Sequence, residues 1–205
     1  ALDSLYGGEL PGIATPRADG VQRDETSHLR GQPPVFVAPG LTEPRQTRLG
    51  PIPWSMVPEI ADLTVGGTLQ PEPAQTRERC IVERPDNWGQ PGGVGPCSLH
   101  APLIYAPHGI VMAGGVGQGI LVVQGDATLR DGARFYGAVI ASGDLLVSDS
   151  ARLSGAARAG TATIRGATVR YRVCPLWRAA LQARALRRAF RPEGRWWLPD
   201  YPRAP

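Results

Sequence analysis

The stretch GILVVQGDATLRDGARFYGAVIASGDLLVSDSARLSG runs from Gly119 to Gly155 and holds two near-copies of one eighteen-residue unit. Gly119, Gly137 and Gly155 open successive units, and Gly125-Asp126 returns as Gly143-Asp144. Extending the frame backwards puts Ala101 in the glycine column. Leu103, Leu121, Val139 and Ala157 then share a column, as do Tyr105, Val123, Ala141 and Ala159. Val111, Leu129 and Val147 form a third, which Ile164 joins after a one-residue deletion. Phe135 and Leu153 form a fourth, which Val169 joins after one more. Small apolar residues recur in columns, and Gly, Asp and Ser mark corners. A short fixed period of this kind is the mark of a solenoid, whose repeats bury their faces only by stacking. The reading is a mainly β fold: a short parallel β-helix of about four coils over residues 101–174, each with three short strands and three corners. Val123, Leu129, Val139, Val147 and Leu153 are expected to point into its core.

Around this centre the chain divides into four further regions. Residues 1–53 are rich in Pro and Gly, with short apolar runs such as PVFVAPG and no period of 2.0 or 3.6. They read as an extended, irregular arm that becomes ordered by lying on its own domain or wrapping a neighbour. In residues 54–100, Trp54, Val57, Ile60 and Ala61 fit one face of a short helix with Pro58 in its first turn. LTVGGTL then reads as strand and turn, before a Gly/Pro-rich loop. Residues 175–191 predict a helix whose stripe is Leu176, Ala179, Ala180, Ala183, Leu186 and Phe190, packed over the side or end of the solenoid. Residues 192–205 form an aromatic, Pro-bounded tail with Trp196, Trp197 and Tyr201.

Cysteines Cys80 and Cys97 close the loop around Trp88, and a bridge between them is expected. Pairing with Cys174 is the alternative; otherwise Cys174 is expected to be buried at the coil–helix junction. A disulfide implies an oxidising compartment, hence a periplasmic or extracellular protein. No run approaches the roughly 20 apolar residues that span a bilayer. The chain opens at Ala1, so a removed leader or anchor is expected.

Several chemistries find no support in the residues. There is no CxxC or CxxCH, which argues against zinc-ribbon and c-type haem readings. GGVGQG (114–119) opens a strand and lacks the Lys-Ser/Thr of a phosphate loop. His28, His100 and His108 have no further ligands in register, and no serine sits in a nucleophile elbow. Asp126, Asp131, Asp144 and Asp149 recur with the coil and read as corner residues bonding their own backbone rather than as a calcium ladder. The expectation is therefore a non-enzyme with no cofactor, metal or small-molecule substrate.

The charge is +4, and every basic residue is arginine. Arg184, Arg187, Arg188 and Arg191 form a strip beside the helix stripe. With Trp196, Trp197 and Tyr201 they have the composition of a contact surface for protein partners or anionic lipid head groups. Nucleic acid is not expected, because no basic–aromatic stacking platform is present.

LGPIPW, NWGQPGG, PLIYAPHGIVMAGGVGQGILVVQGDATLRDGARFYGAVIASGD and VRYRVCPLWRAAL together resemble the exported part of bacterial PilX-type pilus-assembly proteins, over residues 49–191. The repeat is similar to bactofilin-like β-helices. That resemblance implies a pilus-assembly, minor-pilin-like or adhesive role. It also implies an N-terminal hydrophobic anchor helix, which these residues do not show. The family implies no catalytic residues. The residues themselves favour a structural subunit docked extrinsically on a membrane-associated bacterial assembly, of which a reaction-centre–antenna complex is one example.

Overall fold

A computed structural model describes residues 10–39, 48–49, 52–183 and 186. The strands run β1 (Ile13–Thr15), β2 (Val21–Arg23), β3 (His28–Arg30), β4 (Val35–Val37), β5 (Arg48–Leu49), β6 (Ile52–Pro53), β7 (Leu63–Thr64) and β8 (Gly67–Leu69). They continue as β9 (Leu103–Ala106), β10 (Ile110–Ala113), β11 (Val116–Val123), β12 (Ala127–Arg130), β13 (Arg134–Ala141), β14 (Leu145–Ser148), β15 (Arg152–Arg158), β16 (Ala162–Arg165) and β17 (Thr168–Tyr171). A short helix, Val57–Ile60, precedes β7, and the C-terminal helix is Val173–Gln182.

The molecule is a parallel β-solenoid. One sheet has the order β3-β17-β15-β13-β11-β9-β7, with β1 beside β15 and β4 beside β1. The other has the order β2-β16-β14-β12-β10-β8. The repeat registers as read, with Phe135 on Leu153, Val139 on Ala157, Leu129 on Val147 and Val147 on Ile164. Val169 joins Leu153. Val123, Leu129, Val139, Val147 and Leu153 are fully buried in one interior cluster. Rather than three strands per coil there are two, because the eight-residue strands β11 and β13 run straight through Gly119 and Gly137. These glycines hold φ of +129° and +140°. A Cβ at Gly137 would strike the carbonyl of Gly119 one rung below, so only glycine suits the column.

Three expectations are corrected. The stack is longer than about four coils, because rungs are added from outside the repeat. Before it stand β7 and β8, which pair with β9 and β10. After it stands the N-terminal segment. Residues 13–37 are not an irregular arm: β1 pairs with β15, β2 with β16 and β3 with β17, all in parallel. This N-terminal coil extends the C-terminal end of the stack by a further rung, with β2 and β3 as its edge strands. Its strands are three residues each, too short for a period to show.

The first repeat coil is also shifted by one residue. Leu121 stacks on Ile104, not Leu103, and Leu129 on Met112, not Val111. A one-residue slip exchanges the faces of a strand. Ile104 and Ala106 therefore enter the interior, while Leu103 and Tyr105 face outward. There they join Ile120, Val122 and Ile140 in a second apolar layer covered by Ala179, Ala183 and Leu186. Trp54 and Val57 cover the same layer.

The C-terminal helix thus lies along the side of the solenoid. It starts at Val173 with Pro175 in its first turn, where no amide partner is needed. Its regular span ends at Gln182, where Ala183 turns extended; Leu186 is helical again, and the rest of the expected helix to 191 lies outside the described residues. Leu176, Ala179 and Ala180 are buried, as their spacing requires. Among the described residues, no helix is long and apolar enough to cross a membrane.

Candidate functional site

The disulfide loop completes one side of the β9–β10 coil, where no strand is present. Cys80 and Cys97 are bridged. Asn87, fully buried, donates its Nδ2 to the carbonyls of Ala74 and Ile81, and its Oδ1 accepts from the Gly89 amide. The loop then meets β11 as a strand would: the amides of Val116 and Gln118 donate to the carbonyls of Pro71 and Trp88. Trp88 enters the interior and meets Phe135 edge-on at 6.2 Å. The space exists because its neighbour is Gly117, where a Cβ would come within 2.9 Å of Trp88 Cβ. Cys174 takes no part in this bridge and is exposed, contrary to the expectation of burial. It occupies the outward side of the helix's first turn, away from Leu176.

Two of the recurring aspartates, Asp126 and Asp144, bond between coils, while Asp131 pairs with Arg130 and Asp149 accepts from the Ser148 hydroxyl beside it. Asp126 Oδ1 accepts from the amide of Asp144, and Asp144 Oδ1 accepts from the Thr161 hydroxyl. Asp131 and Asp149 hold left-handed φ values of 56° and 53° at equivalent corners. No group of three or more His, Cys, Asp or Glu that could hold a metal ion exists among the described residues. His100 contacts the carbonyl of Asn87, His28 lies on β3 and His108 follows β9. Gly114 and Gly115 form a corner with positive φ, and β11 starts directly after it.

The contact surface expected from Arg184, Arg187, Arg188, Arg191, Trp196, Trp197 and Tyr201 lies outside the described residues. A different arginine cluster appears within them. Along the first halves of the long strands, past Gln118, which the disulfide loop buries, the described residues leave one outer side of the solenoid partly exposed. There the register aligns Gln118, Tyr136, Ser154, Arg170 and Arg30 in one outward column. Val116, Arg134, Arg152, Thr168 and His28 form the next. Between this side, the start of the C-terminal helix and the Pro91–Gly92 turn runs a groove of about 460 Å³. Arg152, Arg170, Arg172 and Arg178 line it, with the hydroxyls of Tyr136, Ser154 and Thr168. None of the described residues lining it is acidic.

Away from the groove, Arg17 pairs with Asp19, Arg84 with Asp86, and Arg130 with Asp131, each within its own local segment. Arg158 stands outside the groove, in the column of Val122 and Ile140, and burial pushes its guanidinium down to about 10. It remains charged at neutral pH. The sequence carried a partial signal for the groove, since Gln118, Tyr136 and Ser154 stand one repeat apart. Arg170 was hidden by the deletions in the last coil, and Arg178 by its place on the helix.

A second, smaller hollow of about 270 Å³ lies between the disulfide loop and the end of the C-terminal helix, lined by Asp62, Cys80, His100 and Gln182 among others. Asp62 is already engaged there, accepting from the amide of Leu103.

Comparison with known proteins finds no family model, no curated protein and no solved structure that matches the chain.

Proposed function

We propose that this protein is a non-enzymatic scaffold subunit that docks extrinsically on a larger, membrane-associated bacterial assembly. The observation that supports it best is the way the solenoid is finished. Its interior is filled by its own side chains, one outer layer is covered by its own helices, and one end is extended by its own N-terminal coil. What remains, among the described residues, is a stacked body with one basic groove on its side. Such a body suits holding partners at fixed positions. The Cys80–Cys97 bridge supports an oxidising compartment, either periplasmic or extracellular.

The arginine- and tryptophan-rich C-terminus is the docking element in this proposal, because Trp, Tyr and Arg dominate interface energetics. Purification from the native source in mild detergent, followed by cross-linking, tests it. Full-length protein is expected to co-elute with partner subunits. Protein truncated after Gly194 is expected to keep its β-rich circular dichroism and to elute alone. Complete co-purification of the truncated protein would place docking on the coil faces, and a full-length protein that always elutes alone would overturn the scaffold reading.

A further inference from the structure

We infer that the groove between the C-terminal helix and the partly exposed side of the solenoid is a binding site for a phosphoryl-bearing ligand. This goes beyond the scaffold role, since either property can be lost without the other.

The first ground is charge of a single sign. Arg152, Arg170 and Arg178 come from two strands and a helix, yet converge on one groove with no carboxylate among its described lining residues. Among the described residues none of the three makes a salt bridge. Like charges brought together without a counter-ion repel, and a low-dielectric wall on one side focuses their field on an anion. The second ground is donor chemistry. Ser154 and Thr168 place hydroxyls on the floor in adjacent outward columns, and Tyr136 adds a phenol one rung along. Guanidinium forks and hydroxyls together suit a tetrahedral group with several acceptor oxygens.

The third ground is position and size. Neighbouring rungs of a parallel sheet stand about 4.8 Å apart. Arg152 pairs with Thr168, and Ser154 with Arg170, so the two arginines sit diagonally on neighbouring rungs. Diagonal neighbours lie about 7 Å apart at the backbone, within reach of two long side chains meeting on one phosphoryl group. The groove volume of about 460 Å³ falls within the range of small-ligand sites rather than of a protein interface. The free phosphate of a soluble ester and the phosphate of a lipid head group share this chemistry.

The test is direct binding to the purified full chain. Inorganic pyrophosphate is titrated calorimetrically, and vesicles of phosphatidylglycerol in phosphatidylcholine are compared with phosphatidylcholine alone by co-sedimentation. Pyrophosphate is expected to bind, more weakly as salt rises. The double variant Arg152→Gln/Arg170→Gln is expected to weaken it roughly tenfold or more. Arg77→Gln, an exposed arginine on the disulfide loop, should leave binding unchanged. Arg170→Lys keeps the charge but loses the fork, and is expected to fall between wild type and the double variant. An unchanged melting temperature confirms that each variant is folded. Vesicle binding that pyrophosphate displaces assigns the lipid source; pyrophosphate binding without vesicle binding assigns the soluble one. The inference is overturned if neither probe binds, if Arg77→Gln weakens binding as much as the double variant, or if a hexaglutamate peptide binds more tightly than pyrophosphate. Co-purification with partner subunits is scored separately, so loss of pyrophosphate binding with intact assembly leaves the scaffold proposal standing.

Discussion

Gly137 shows what a single residue controls in a stacked coil. Its φ of +140° lies where L-residues are strained, and its missing side chain lets the carbonyl of Gly119 approach from the rung below. Gly155 repeats the geometry one rung on, with φ of +147°. Gly137→Ala is therefore expected to cost about 2 kcal/mol or more, since backbone strain and a collision with main chain act together. Its thermal melt should fall by several degrees, whereas Gly132→Ala meets no neighbouring atom and bears only the strain of its positive φ. At Leu129, completely buried between Met112 and Val147, substitution by Asp is expected to abolish soluble expression, because an unpaired carboxylate would enter a dry stack. Arg130→Gln next to it should stay folded, since Arg130 is exposed and its described ion pair is with the neighbouring Asp131. These interior columns were legible in the sequence because the repeat holds its length between Gly119 and Gly155.

At the scale of the element, the disulfide loop replaces a strand by other means. A bridge, a buried asparagine and one tryptophan hold a coil side that has no regular hydrogen-bond ladder. Trp88→Ala is expected to cost about 3–5 kcal/mol, as for other buried aromatics. Reduction of Cys80–Cys97 is expected to cost about 3 kcal/mol by freeing the loop in the unfolded chain. Chemical denaturation with and without reductant measures both, and near-additive costs would show that the two supports act independently. The cysteines announced the bridge. The role of Trp88 was not legible, because only the stack reveals that Gly117 leaves a vacancy above it. The slip at Leu103 was missed for a related reason. Both Leu103–Tyr105 and Ile104–Ala106 are apolar, so a strand covered on two faces offers no alternation to fix its register.

For the whole molecule, the joint that matters is Asp24. Its carboxylate accepts from the hydroxyls of Ser27 and Thr26, and from the amide of Gly166 in the last coil. These bonds, the Ser27 and Thr26 hydroxyls first, pull its pKa down from 3.8 to about 2. A carboxylate lowered on folding contributes stability that is fully present above its unfolded value and lost as pH falls towards its folded one. The melting temperature is thus expected to drop between about pH 4 and pH 2. Asp24→Asn should start lower and show a flatter pH profile, as differential scanning calorimetry would record. If wild type and variant share one acid profile, Asp24 does not secure this joint. Nothing local in residues 10–39 foretold the arrangement, because each of its strands is three residues long and finds its partner far along the chain.

That partnership has a consequence for the moment of synthesis. Ser27 donates to the carbonyl of Ile164, 137 positions further on. Residues 13–30 leave the ribosome well before their partners and find their place only after them, since β1, β2 and β3 pair with β15, β16 and β17. Closing so long a loop is slow compared with local pairing. A nascent chain therefore travels with its leading coil unmade. It becomes a finished object only after its final strands have been made.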